Sequence, residues 1–189
     1  MLIKEAQREL RIAFLGGFAG QLLSGLIWAL SAAIGTWVSP GYGMVALFLV
    51  SAMLFPLTQL TLRLMGRPAK LSPGNTLGQL ATQIAFTVPV GFLLVAAATL
   101  YRESWFFPAS MIVVGAHYLP FIFLYGMWQF GALAAALIFG GWGLAQFGPD
   151  TFSLGGWISA VIFIAFAFWG RSVAQKEENA GASKAAAAS

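Results

Sequence analysis

The residues best suited to chemistry fall in one run, GAHYLPFIFLYGMWQF, at positions 115–130. It holds His117, the single histidine of the chain, with Tyr118 beside it and Tyr125 further on. A neutral imidazole offers one donor and one acceptor, and a phenol offers both in one hydroxyl. Pro120 follows three residues later. It has no amide hydrogen, so the carbonyl of Ala116 loses its helical partner. Positions 117, 121 and 125 recur at helical spacing, and 118 and 125 are seven apart, so His117, Tyr118 and Tyr125 are expected to line one broad face. Such a face can hold a small polar solute. Through one imidazole nitrogen it can also ligate a haem or chlorophyll axially. Equally, the histidine can bond across to another helix and lock the fold, with Gln21, Ser24, Gln83 or Thr87 as partner.

Other chemistries are poorly supplied. There is no cysteine, which removes disulfides, thiolate nucleophiles and iron–sulfur ligation. The long apolar segments contain no Asp, Glu or Lys. Arg63 stands near a segment end, where its stem lets the charge reach the headgroups. A charged relay of the kind used by ion-coupled pumps therefore has no acids to run on. One histidine without cysteine or buried acid makes no metal site, and no catalytic residue is assigned. Arg102, Glu103 and Asp150 lie in short polar loops and are expected to be solvated. The excess of basic residues does not indicate nucleic-acid binding, because these residues flank apolar segments and nothing resembles a nucleic-acid module.

The elements that must position His117 follow from composition. Of 189 residues, 59% are hydrophobic and 8% charged, against about a quarter charged in soluble domains. Such a chain is solvated by lipid. Six apolar segments are expected to be transmembrane helices, at 12–36, 42–65, 79–101, 105–127, 128–147 and 152–170, since each is long enough to cross a core of about 30 Å and lipid forces backbone pairing within the segment. Turn chemistry separates them, in SPGYG (39–43), GRPAKLSPGNTLG (66–78), RES (102–104) and GPDT (148–151). Between the fourth and fifth only GMWQFG intervenes, so a true turn and a sharp kink are both open there. The first segment is retained as a mature helix, being about twice the length of a signal-peptide core. Lys4, Arg8, Arg11, Arg63, Arg67, Lys70, Arg171 and Lys176 share one side, which places both termini in the cytoplasm. Trp37, Tyr42, Tyr101, Trp105, Trp128 and Trp169 are expected as interfacial anchors. The domain reading is a cytoplasmic lead at 1–11, a six-helix domain at 12–171 and a flexible cytoplasmic tail at 172–189.

Pro56, Pro89 and Pro120 fall near the middle of three successive segments and are expected to kink them at similar depth, opening a polar cavity. Gln21, Ser24, Trp28, Ser31 and Gly35 form one face of the first helix. Gly16–Gly20 and the stripe Ala132, Ala136, Gly140 are read as packing surfaces.

The stretches FPLTQL (55–60), SPGNTLGQL (72–80) and GAHYLPFIFLY (115–125) resemble an uncharacterised family of small bacterial six-helix integral membrane proteins, with a His–aromatic–Leu–Pro–Phe core in the fourth helix and an Asn-containing loop after the second. The resemblance covers residues 8–171 and implies a fold and a location, not an activity. Tyr118 departs from it, standing where phenylalanine is expected. The expectation is thus an all-α, polytopic bundle in the bacterial inner membrane. Its leading function is binding or transport of a small neutral or amphipathic solute in a midplane cavity lined by His117, Tyr118, Tyr125, Gln21, Gln83 and Thr87. The alternative is a structural subunit, self-associated or part of a larger membrane complex and holding a lipid or pigment. A membrane enzyme ranks third, and no cofactor is required beyond the haem or chlorophyll option through His117.

Overall fold

A computed structural model describes residues 1–67 and 69–186, most of them helical and with no strand among them. The helices are α1 (Ile3–Ala13), α2 (Phe18–Trp37), α3 (Pro40–Ala52), α4 (Leu54–Leu64), α5 (Leu77–Ala85), α6 (Thr87–Tyr101), α7 (Phe106–Tyr125), α8 (Gln129–Phe147) and α9 (Leu154–Ala186). Five helical stretches are long and apolar enough to cross a membrane, and α3 with α4, bent by 56°, makes a sixth if counted as one broken span.

The polar lead forms a helix of its own. In α1, Ala6, Leu10 and Ala13 are buried while Lys4, Glu5 and Arg8 face outward, the pattern of a helix lying on an apolar support. Leu15, Gly16 and Gly17 then all take positive φ, at 50°, 62° and 86°, and this turn releases the chain into α2. Gly16 is required twice over: a Cβ there would lie 2.6 Å from the carbonyl oxygen of Gly170 on α9. The expected Gly16–Gly20 pair therefore divides, because a Cβ on Gly20 would meet nothing closer than Thr58 at 3.8 Å.

α2 is the central strut. The stripe Gln21, Ser24, Trp28, Ser31 and Gly35 is wholly buried, as its spacing implies. Trp28 packs against Phe107 of α7 and Phe163 of α9, with ring centroids 5.9 and 5.7 Å away. Small residues bring the helices close, which is the main source of cohesion where lipid is as apolar as the helices. A Cβ on Gly25 would fall 2.7 Å from Ile164, and one on Gly43 of α3 would fall 2.9 Å from the Ser31 carbonyl. The Ser31 hydroxyl closes that contact by donating to the Gly43 carbonyl at 2.7 Å. On the other side, α7 and α8 pack most intimately: a Cβ on Gly141 would lie 2.5 Å from the Pro108 carbonyl, and one on Gly115 would lie 2.8 Å from Ile138. The close crossing uses Ala134, Leu137 and Gly141, all buried, and not the expected stripe of Ala132, Ala136 and Gly140, which is half-buried.

The junction of the fourth and fifth segments is a true turn. Gly126 ends α7 at φ 62°, and the Met127 amide donates back to the Ile122 carbonyl, a left-handed helix cap that glycine favours. Trp37, Tyr42, Tyr101, Trp128 and Trp169 are exposed on the outer surface, and Trp105 is half-buried.

One end of the bundle is tied by polar contacts. Gln7 donates to the Phe123 carbonyl at 2.5 Å and Arg11 to that of Tyr125. These carbonyls lie in the last turn of α7, where the Phe123 oxygen also accepts from the Gly126 amide, and a cation is favourable there. Arg11 also forms a two-pronged pair with Glu177, at 2.6 and 2.7 Å. Arg67 pairs likewise with Glu178 at 2.8 and 3.0 Å. Both glutamates lie on the part of α9 beyond residue 171, where the sequence suggests a flexible tail. Helix continues there to Ala186, and residues 187–189 of that expected tail lie outside the described residues. Glu9 accepts from the Ser72 amide at 2.5 Å and from Asn75 at 2.9 Å. The Ser72 amide first, and Asn75 next, hold its carboxyl below the usual glutamate range.

Candidate functional site

Two of the three prolines follow helix interruptions of different severity: α3–α4 bends by 56° ahead of Pro56, whereas α5–α6 stays one span, Leu77–Tyr101, with Phe86 still in helical backbone ahead of Pro89. Pro56 is the third residue of α4, and α3 ends at Ala52, four residues earlier. Pro89 is the third residue of α6, and α5 ends at Ala85, again four residues earlier. In each case the residue whose carbonyl would have received the missing amide terminates the preceding helix, and proline sits in the tolerant first turn of the next. Pro120 behaves differently. α7 runs unbroken from Phe106 to Tyr125, with Pro120 on an exposed face.

The broken helices form two arms. α4 packs on α2 and α5–α6 packs on α7, but the arms barely meet each other. Their closest aromatic approach is Phe48 to Phe92 at 5.9 Å. Little of the α5–α6 span is buried, and an open apolar hollow on its surface is lined by Gln83, Phe86, Thr87, Val90, Gly91, Leu93 and Leu94.

His117 reaches the break that Pro89 makes. Its Nδ1 lies 3.1 Å from the Ile84 carbonyl oxygen, and the Thr87 hydroxyl donates to the same oxygen at 2.7 Å. Thr87 Oγ1 and His117 Nδ1 are 3.3 Å apart. A carbonyl only accepts, so Nδ1 carries the proton and Nε2 keeps its lone pair. Nε2 has no hydrogen-bond partner among the described residues. The imidazole is half-buried and packs on Tyr118 and Phe121, with centroids at 5.5 and 5.0 Å. It acts as a latch, holding α7 to the α5–α6 break through a carbonyl near the helix end.

The tyrosines face elsewhere. Tyr118 and Tyr125 are each 7% exposed and turn inward against Phe130 of α8, at 6.0 and 4.8 Å. Ser24 is the polar neighbour of Tyr118. Gln21 lies nearby: a Cβ on Gly17 would sit 3.0 Å from Phe130 and 3.5 Å from the Gln21 amide nitrogen. The Gln21 side-chain Oε1 is buried without a hydrogen-bond partner among the described residues. The six expected site residues thus fall into two groups on adjacent faces of α7. His117 joins Thr87, with Gln83 one turn earlier on the groove, while Tyr118 and Tyr125 join Gln21 in the interior. Consecutive residues on a helix point about 100° apart, which is why His117 and Tyr118 separate while the seven-residue step from Tyr118 to Tyr125 stays aligned.

Ile84 is the functional contact that side-chain reasoning misses, because its backbone carbonyl does the work. The signal was present in Pro89, whose helix break lies next to this carbonyl. Asn75 works instead through its side-chain amide. It is buried, donates to the Ala6 carbonyl and to Glu9, and accepts from the Leu77 amide. It orders the loop that leads into α5.

Among the described residues, no three metal-ligating side chains converge. No curated protein and no solved structure matches the chain. A family model does match, over residues 3–171. On that match the chain belongs to DUF7010, a family of unknown function.

Proposed function

We propose that this membrane protein binds an amphipathic small molecule, and moves it within or across the bilayer, at the α5–α6 groove beside the His117 latch. The observation that carries this reading is the interruption of helical pairing at Phe86, ahead of Pro89. Beside it a polar pair, Gln83 and Thr87, stands in an otherwise apolar, open hollow that faces outward. Proline-interrupted helices are common walls of membrane solute sites. The bent helix pair α3–α4 packs on α2, apart from α5–α6. An opening toward lipid favours a ligand that partitions into the bilayer. The unbonded Nε2 of His117 is an acceptor, so a ligand hydroxyl donating to it is the matching chemistry. The inner membrane and cytoplasmic termini fit the clustering of basic residues at the end carrying α1.

The test is photolabelling of the full chain in liposomes with a diazirine-bearing hexadecanol, mapped by peptide mass spectrometry. Labelling concentrated on residues 83–94, displaced by excess unlabelled hexadecanol and reduced in Thr87→Val, supports the reading. Uniform labelling of all exposed apolar faces, without competition, overturns it.

A further inference from the structure

We propose that the end of the bundle formed by α1, the last turn of α4, the loop residues 69–76 and α9 at residues 171–178 is a docking surface for anionic phospholipid headgroups. The argument rests on how the charges there are divided. Each acid at this end is committed to an internal contact. Glu5 accepts from the Leu2 amide, and Glu9 is held by Ser72 and Asn75. Glu177 pairs with Arg11, and Glu178 with Arg67. Arg8 adds to the field on Glu177. Lys4, Arg63, Lys70 and Lys176 are left exposed, with no ion pair among the described residues. Arg171 has no acidic partner either, and its guanidinium lies over the Phe18 ring at 4.9 Å.

The fold therefore spends its carboxylates inward and presents cations outward. α1 strengthens the effect. It lies on the bundle with Ala6, Leu10 and Ala13 inward and Lys4 and Arg8 outward, the disposition of a helix at the headgroup level. Cations next to an anionic leaflet are each favourable by about fivefold in binding, until salt screens them. A flexible basic tail would attract such lipids loosely. Here the cations stand on packed helices and an ordered loop, so the positions of the bound headgroups are fixed as well as their charge.

The test uses the purified full chain in neutral detergent micelles doped with phosphatidylglycerol, with phosphatidylcholine, or with inorganic phosphate at equal concentration. Phosphatidylglycerol is expected to raise the thermal unfolding midpoint, and the rise should shrink as sodium chloride is added. Phosphatidylcholine and phosphate should leave it unmoved. In Lys4→Gln/Arg63→Gln/Lys70→Gln/Lys176→Gln, apparent affinity for phosphatidylglycerol should fall at least about tenfold, with the midpoint in phosphatidylcholine unchanged. Should that variant fail to fold, Lys70→Gln/Lys176→Gln is expected to give an intermediate loss. Equal responses to the two lipids, a phosphate response matching that of phosphatidylglycerol, or an undiminished response in the charge variants would overturn the proposal.

Discussion

Removing the two donors on the Ile84 carbonyl, singly and together, probes the His117 latch in energetic terms. His117→Leu deletes the Nδ1 bond at 3.1 Å but leaves the Thr87 hydroxyl on the same oxygen at 2.7 Å. The acceptor keeps a partner, so the loss should be that of one ordinary hydrogen bond, about 1 kcal/mol. In a bilayer the average for such a bond is lower, about 0.6 kcal/mol. Thr87→Val is the mirror case and should cost a similar amount, about 1 kcal/mol. The double variant removes both side-chain donors from a carbonyl beside a helix break. An orphaned acceptor carries its own penalty of about 1–3 kcal/mol, so the double loss should be about 3 kcal/mol and exceed the sum of the singles. The coupling follows from two donors sharing one acceptor. Reversible unfolding in mixed micelles, titrated with a denaturing detergent, measures all four species. A double loss equal to the sum of the singles would refute the shared-carbonyl latch, as would a single loss at Thr87 with none at His117.

Other consequences are independent of the latch. Gly141→Ala should destabilise by about 1–3 kcal/mol by overpacking α7 against α8, because its Cβ would lie 2.5 Å from the Pro108 carbonyl, whereas Gly143→Ala, with nothing within 4 Å, should be near neutral in the same unfolding assay. Arg11→Ala should cost about 1–3 kcal/mol, since it strips two bonds from Glu177 and one from the Tyr125 carbonyl; Arg11→Lys should recover only part of that, a point charge being unable to serve both carboxylate oxygens. Glu9 has a folded pKa held below its ordinary value. Its contribution is therefore fully present above the ordinary glutamate value and is lost as pH falls through the lower folded value; Glu9→Gln should flatten that acid limb of the stability–pH curve.

Segment lengths were legible in the sequence because the bilayer imposes them. The apolar runs at 79–101 and 128–147 correspond to Leu77–Tyr101 and Gln129–Phe147. The stripe on α2 was legible for the same kind of reason: Gln21, Ser24, Trp28, Ser31 and Gly35 recur at helical spacing and all are buried. Two things were not. The α1–α2 turn depends on three successive positive-φ residues and on Gly170, far away in the chain, pressing against Gly16. A pattern of Gly at 16 and 20 reads as a packing motif until that partner is known. The prolines show the second limit. Pro56, Pro89 and Pro120 obey one local rule, yet α7 absorbs Pro120 without a break. It is held by α8 on one side, by α6 on another, and at its end by Gln7 and Arg11. α3–α4 and α5–α6 lie at the margins of the bundle with fewer neighbours to keep them straight. The candidate residues divided for a geometric reason: adjacent positions on α7 point about 100° apart and answer to different neighbours.

The most direct test of the account exploits His117 being the single histidine of the chain. Solid-state nitrogen NMR of ¹⁵N-histidine-labelled protein in lipid bilayers gives one imidazole and hence one tautomer. The latch predicts a neutral ring protonated on Nδ1 and hydrogen-bonded there, with an Nε2 resonance that moves when hexadecanol is added. A ring protonated on Nε2 with Nδ1 bare would contradict it, because nothing would then bind α7 to the Ile84 carbonyl.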